Sequence, residues 1–190
     1  IPVLMIFGEL NMTKMSAFQD ANGWLLLPLW GEGLSWARWA LWIPMGLSFC
    51  IFVVAMFAET NRLPFDMAEC ETELVAGYHT EYSSMKFALF FLGEYAAMIS
   101  VSALMVTLFL GGWTLPFAGL DQPATSILGG LLHIGIFIGK LLVFMVLFIW
   151  VRWTLPRFRY DQLMKLGWYF FFELALVNIF IAAFIVAYVK

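Results

Sequence analysis

Residues 127–151 read ILGGLLHIGIFIGKLLVFMVLFIWV, an apolar run of 25 residues with a single charged side chain, Lys140. A helix rises about 1.5 Å per residue, so this run would be about 37 Å long. The hydrocarbon core of a bilayer is about 30 Å thick. The run therefore predicts a helix that crosses a membrane with some tilt.

Three further apolar runs cover residues 39–58, 87–110 and 166–189. Backbone groups in lipid must form hydrogen bonds within the protein, which favours helices for all of them. Residues 1–10 are apolar but too few to cross, and we interpret them as the tail of a truncated transmembrane helix. Residues 11–37 mix glycine, proline and tryptophan, which is typical of a loop at a membrane interface.

The composition favours one membrane domain covering residues 1–190. Hydrophobic residues make up 63% of the chain and charged residues 12%, and the mean hydropathy is +0.89. A water-soluble domain typically carries about 25% charged residues. We therefore predict an all-α integral membrane protein, a bundle of four complete transmembrane helices plus the tail of a fifth at the N-terminus, with a helical acidic loop.

The cysteines and histidines do not form a metal-binding pattern. Cys50 and Cys70 lack the spacing of a zinc or iron–sulfur ligand set, and His79 and His133 lie far apart. A Rossmann fingerprint and a phosphate loop are also missing from the sequence. We therefore predict neither a metal site, nor a catalytic group, nor a redox centre in this chain.

The basic residues predict the orientation. Two loops, residues 59–86 and 152–165, hold Arg62, Lys86, Arg152, Arg157, Arg159 and Lys165. The segments predicted on the opposite side hold only Lys14, Arg38 and Lys190. Loops rich in lysine and arginine stay on the cytoplasmic side, so we expect the first two loops to face the cytoplasm or the mitochondrial matrix.

The first of these loops is also acidic. Six of the thirteen carboxylates of the chain lie in it: Glu59, Asp66, Glu69, Glu71, Glu73 and Glu81. Pro64 is suited to open a short helix, which would align Asp66, Glu69 and Glu73 on one stripe. Like charges so spaced repel by a few tenths of a kcal/mol per pair. Beside a membrane such a cluster could hold and pass protons, whereas an acidic loop that is merely solvated explains the spacing equally well.

Three motifs carry a resemblance to a known family. Residues 59–87 read ETNRLPFDMAECETELVAGYHTEYSSMKF, residues 155–164 read LPRFRYDQLM, and residues 108–113 read LFLGGW. The first resembles the signature loop of the H subunit (mitochondrial subunit 1) of NADH-quinone oxidoreductase, respiratory complex I, and the others occur in the order of that family. The resemblance covers essentially the whole chain, and it matches the C-terminal half of the family.

The resemblance implies a function for the acidic loop. In that family the loop lines the quinone cavity and the route from it into the membrane. The residues that would belong to this region are Arg62, Asp66, Glu69, Glu71, Glu73, His79 and Glu81. Arg157, Arg159 and Asp161 would lie at an interface with other subunits.

The resemblance also implies partners. The chain would be a subunit of a proton-translocating NADH:quinone oxidoreductase in a bacterial or mitochondrial inner membrane, with quinone as substrate. FMN and iron–sulfur clusters would lie in partner subunits, and this chain alone would bind none of them. We expect contacts with the peripheral-arm and neighbouring membrane subunits, the missing N-terminal half and lipid, and none with nucleic acid.

Two other functions stay open at this point. One is the homologous membrane anchor of an energy-converting hydrogenase, although the length of the first motif favours the quinone enzyme. The other is a purely structural membrane scaffold. A stand-alone carrier is disfavoured because the chain lacks an inverted repeat and paired broken helices.

Three charged residues lie within the predicted spans: Glu94, Lys140 and Glu173. A charge there is unfavourable by about 2.5–3.5 kcal/mol, so it should face protein or water. From helix rise the two carboxylates reach similar depths and Lys140 lies only several ångströms deeper, so we expect Lys140 to pair with Glu94 or with Glu173. Such a pair would either fix helix packing or belong to a proton path. His133 is expected to be a satisfied structural histidine.

Overall fold

The computed structural model describes residues 1–26, 36–67, 81–115 and 126–189. The side chains of residues 36–38 and of residue 189 are not described. Within these ranges the protein is all-helical and contains no β-strand. The helices are α1 Pro2–Phe7, α2 Met12–Asn22, α3 Trp36–Glu59, α4 Met85–Phe109, α5 Ile127–Thr154, α6 Tyr160–Lys165 and α7 Glu173–Val189, and a π-helical segment, Leu166–Phe172, joins the last two.

Four helical stretches are long and apolar enough to cross a membrane, which confirms the predicted fold class. They are α3, α4, α5 and the continuous helix from Tyr160 to Tyr188. The first three begin and end within three residues of the predicted spans. The last begins earlier than the predicted residue 166, because Gln162 accepts a hydrogen bond from the Arg159 amide at 3.2 Å and starts the helix in a polar stretch.

The segment predicted as an interfacial loop contains a helix, so that prediction is wrong for residues 12–22. The side chain of Asn11 accepts a hydrogen bond from the Thr13 amide at 3.0 Å and caps the first turn of α2. Capping satisfies a backbone amide that has no partner inside the helix. Gly23, with a φ of +91°, follows the last turn.

Aromatic side chains fill the contact between α3, α4 and α5. The Phe109 ring lies 5.4 Å from that of Phe49 and 6.1 Å from that of Phe52, and Phe57 and Phe148 approach to 4.4 Å. Phe109 and Phe57 are almost fully buried. Outward-facing positions carry large apolar side chains that are exposed in the isolated chain, which is the pattern of helices surrounded by lipid.

A buried polar contact joins α3 to α7. Asn178 donates hydrogen bonds to the carbonyl of Pro44 at 3.0 Å and to the hydroxyl of Ser48 at 2.7 Å. Because its side chain is only 2% exposed, water cannot replace these partners. The contact therefore fixes the rotation of α7 against α3.

We expect Asn178→Ala to lower the free energy of unfolding by about 1 kcal/mol, since side-chain hydrogen bonds between membrane helices average about 0.6 and reach about 1.7 kcal/mol. Denaturant titration of the purified protein in detergent would measure the change. Ser100→Ala, at an exposed position on α4, is the control and should leave the titration unchanged. An equal loss in both variants would contradict a specific α3–α7 contact.

Candidate functional site

The chain turns sharply where α3 ends and the first motif begins. The Thr60 hydroxyl donates to the Met56 carbonyl at 2.8 Å, and the Arg62 amide donates to the Phe57 carbonyl at 3.3 Å. Asn61 between them has a φ of +50°, a left-handed conformation that asparagine tolerates better than most residues. The turn directs residue 62 back against the helices.

Arg62 forms an ion pair with Glu94 of α4. The Arg62 Nε and Glu94 Oε1 atoms are 2.5 Å apart, and the two side chains are only 12% and 14% exposed. The Arg62 guanidinium also lies 5.0 Å from the centre of the Tyr95 ring. Attraction between charges is strong where water is scarce, so this ion pair holds the turn after α3 firmly against α4.

Two of the sequence motifs meet beside this pair. Arg157 donates to the backbone carbonyl of Asp66, and the Phe158 amide donates to the Pro64 carbonyl at 3.2 Å. The rings of Phe65 and Phe158 are stacked at 5.7 Å. Asp66 is 8% exposed. The start of the acidic loop is therefore held against the chain that follows α5.

The other candidate residues on this side are spread more widely. Glu81 is exposed just before α4, and Arg159 and Asp161 are exposed at the start of α6. Glu69, Glu71, Glu73 and His79 lie outside the described residues. The structure thus brings Arg62, Asp66, Glu94 and Arg157 into one region of the bundle, and we call these four residues the charged site.

The predicted pairing of Lys140 with Glu94 or Glu173 is wrong. The Lys140 ammonium donates hydrogen bonds to the carbonyls of Leu110, Gly112 and Thr114, at 2.7, 3.0 and 2.6 Å. Glu94 pairs with Arg62 instead, and Glu173 is exposed.

The pairing fails because Lys140 and Glu94 lie at different depths. Lys140 lies beside Leu110, at the end of α4. Glu94 precedes that residue by 16 positions, which is about 24 Å along the helix. The prediction compared depths as if the start of α4 and the end of α5 lay at the same level, whereas α4 ends level with the middle of α5.

Sequence reasoning also missed two residues that lie at the end of α4, Gln19 and Trp24. The Gln19 side chain is fully buried and donates to the Thr107 carbonyl at 2.9 Å, and the Trp24 ring lies 4.3 Å from the Lys140 Nζ. Asn11 was the available signal, because it predicts a helix start that would bring α2 into the bundle.

A cavity of the described bundle lies away from the charged site. Its volume is about 540 Å³, and it opens among apolar side chains such as Ile1, Met15, Phe52 and Ile179. Arg62, Asp66, Glu94 and Lys140 are not among its described lining residues. Within the described part of the chain, histidine, cysteine, aspartate and glutamate do not form a group of three that could hold a metal ion.

A family model described as NADH dehydrogenase matches residues 1–183. The chain belongs to this family. Its relatives include the H subunit of NADH-quinone oxidoreductase from Leptospira biflexa, which is 54% identical over 169 residues, 88% of this chain and 42% of that protein. The same subunit from Rickettsia typhi is 43% identical over 188 residues, 99% of this chain and 49% of that protein.

One of the H subunits of Koribacter versatilis is 52% identical over 188 residues, 98% of this chain and 49% of that protein. The chain spans about half the length of the curated relatives it matches. Membership of the NADH dehydrogenase family confirms the resemblance carried by the three motifs. It also agrees with the four membrane-spanning helices of the structure.

Proposed function

We propose that this chain forms part of the quinone cavity, and of the acidic route that leads from it into the membrane, in a proton-translocating NADH:quinone oxidoreductase. It would correspond to the C-terminal half of the H subunit of that enzyme. The observation that carries the proposal is the charged site, where a buried Arg62–Glu94 ion pair lies beside the start of the acidic loop, which Arg157 holds at Asp66. Membership of the NADH dehydrogenase family supports it.

The charged site has the chemistry that a coupling element needs. Reduction of a quinone to a quinol takes up two protons with two electrons, and carboxylates near the cavity can supply and replace those protons. Glu94 forms an ion pair with Arg62, so a proton that reaches this carboxylate would weaken the ion pair and release the arginine. Charge changes at the loop would in this way alter contacts inside the bundle.

The electrons would come from other subunits. FMN and iron–sulfur clusters belong to partner proteins of the peripheral arm, and quinone is the substrate. This chain would orient the acidic loop and supply the carboxylates that hold protons. It would also form the contact surface for other subunits around Arg157, Arg159 and Asp161. Residues 59–86 and 152–165 would face the cytoplasm of a bacterium or the mitochondrial matrix.

The test is to replace Asp66 and Glu81 separately by their amides in the intact enzyme within its native membrane. We expect Asp66→Asn to lower NADH:quinone reductase activity roughly tenfold, and Glu81→Gln to lower it several-fold, because each removes a group that can hold a proton. NADH oxidation with a water-soluble artificial acceptor, which bypasses the quinone step, should stay unchanged in both.

Glu9→Gln is the matched control, because Glu9 is half-exposed and pairs with Lys14 on the surface. It should retain full quinone reductase activity. Full activity in the Asp66 and Glu81 variants as well would indicate that the chain is a structural scaffold, and it would contradict the proposal. An enzyme that evolves hydrogen and lacks quinone reductase activity would favour the hydrogenase anchor.

A further inference from the structure

The end of α4 is surrounded by polar side chains from two other helices. Gln19 of α2 donates to the carbonyls of Thr107 and Leu108, at 2.9 and 3.2 Å, and accepts from the Gly111 amide at 2.9 Å. Lys140 of α5 donates to three carbonyls that follow, those of Leu110, Gly112 and Thr114. Five carbonyls at this helix end therefore accept a hydrogen bond from Gln19 or Lys140.

This helix end lies at the level of the middle of α5. Ile127 begins α5 13 residues before Lys140 and Thr154 ends it 14 residues after, which places about 20 Å of helix on each side. The α4 terminus is therefore expected inside the hydrocarbon region. Carbonyls at the last turn of a helix lack partners within the helix, and each costs several kcal/mol if it stays unbonded in lipid.

The three carbonyls match the three N–H donors of a protonated lysine. An ammonium has three N–H donors, and the three carbonyls of this site use all of them. A neutral amine has only two and would leave one carbonyl without a donor. The positive charge also opposes the negative end of the α4 dipole, and the Trp24 ring 4.3 Å away adds a cation–π contact.

We propose that Lys140 is a fixed cationic cap that ends α4 inside the membrane together with Gln19, and that it positions α4 against α5 without carrying protons. The cap sets how far α4 reaches along α5. It thereby sets the position of Glu94, about 24 Å away on the same helix. Only the activity measurements below rest on the proposed function, and the exchange measurement does not.

The experiment compares four variants of the intact enzyme: Lys140→Met, Lys140→Arg, Gln19→Leu and the control Lys14→Met. Hydrogen–deuterium exchange of the backbone amides at residues 106–115 reports the helix end directly. Quinone reductase activity and the number of protons translocated per electron are measured on the same samples. Lys14 is 63% exposed on the surface and takes no part in the cap.

We expect Lys140→Met and Gln19→Leu to increase amide exchange at residues 106–115 at least tenfold and to lower quinone reductase activity. Gln19 has no titratable proton, so a shared effect identifies capping as the common cause. Lys140→Arg should keep slow exchange and the normal ratio of protons to electrons, because arginine keeps the charge and does not release its proton. Lys14→Met should match the unmodified enzyme.

The proposal is overturned if Lys140→Arg keeps quinone reductase activity but loses proton translocation, since that result identifies a proton carrier. It is also overturned if Gln19→Leu leaves exchange and activity unchanged. If Lys140→Met does not assemble, the arginine and Gln19 variants decide alone. If the unmodified enzyme does not reduce quinone, the proposed function is rejected. Faster amide exchange in the Lys140→Met and Gln19→Leu variants would still support the cap in that case.

Discussion

Replacement of Arg62 by methionine should reduce NADH:quinone reductase activity by a factor on the order of 100 or more and impair assembly of the membrane part. Breaking a buried ion pair by removing one partner costs about 3–5 kcal/mol, because the remaining charge has lost its counter-ion. The carboxylate that would lose the attraction of Arg62 is Glu94, whose side chain is 14% exposed. Activity in native membranes and the yield of intact enzyme measure the two effects.

The double variant Arg62→Met with Glu94→Gln distinguishes a loss of assembly, caused by an unfavourable charge, from a loss of catalytic function. It leaves no isolated charge in the pair, so assembly should recover to near the unmodified level while quinone reductase activity stays low. Arg152→Met is the matched control, since Arg152 is exposed at the end of α5. Normal activity in Arg62→Met would show that the ion pair has no part in the function.

Replacement of Gly111 by alanine should destabilise the protein by about 2–5 kcal/mol. A Cβ atom at this position would lie 2.6 Å from Trp24 Nε1 and 2.7 Å from Thr114 Oγ1. Its φ of +69° adds about 1–2 kcal/mol for any L residue, and overpacking adds about 1–3 kcal/mol. Denaturant titration in detergent measures the loss.

Gly112 and Gly139 offer graded controls for this prediction. Gly112 has a similar φ of +63°, but its added Cβ would meet Ser16 at an ordinary 3.6 Å, so Gly112→Ala should cost only about 1–2 kcal/mol. Gly139 lies in α5 with open space around it, and Gly139→Ala should be neutral or slightly stabilising. Equal losses at Gly111 and Gly112 would exclude the clash with Trp24.

The membrane helices could be predicted because their length depends on one physical quantity, the thickness of the hydrocarbon core. The run that ends at Val151 contains only one charge, and no arrangement other than a helix satisfies its backbone in lipid. The helix ends were less predictable, because they depend on local capping. The Gln162 side chain caps the last helix at its start, so that the helix begins at Tyr160, in a polar stretch that lies before the predicted apolar span.

Much of the charged site could be predicted because three of its residues, Arg62, Asp66 and Arg157, belong to motifs that resemble a family. Asp66 and Arg157 come from separate motifs, and the sequence could not show that they touch. The partner of Lys140 was missed for a different reason. Its acceptors are backbone carbonyls, which every residue carries, so no pattern of side chains marks them.

Two points along α5 are tied to different parts of the bundle. Near the middle of α5, Lys140 donates hydrogen bonds to carbonyls at the end of α4. Just beyond the last turn of α5, Arg157 donates a hydrogen bond to the backbone carbonyl of Asp66. The helix between them is a stiff rod about 21 Å long. An axial shift of α5 would therefore change the contact at Asp66 and the contact at the α4 terminus together.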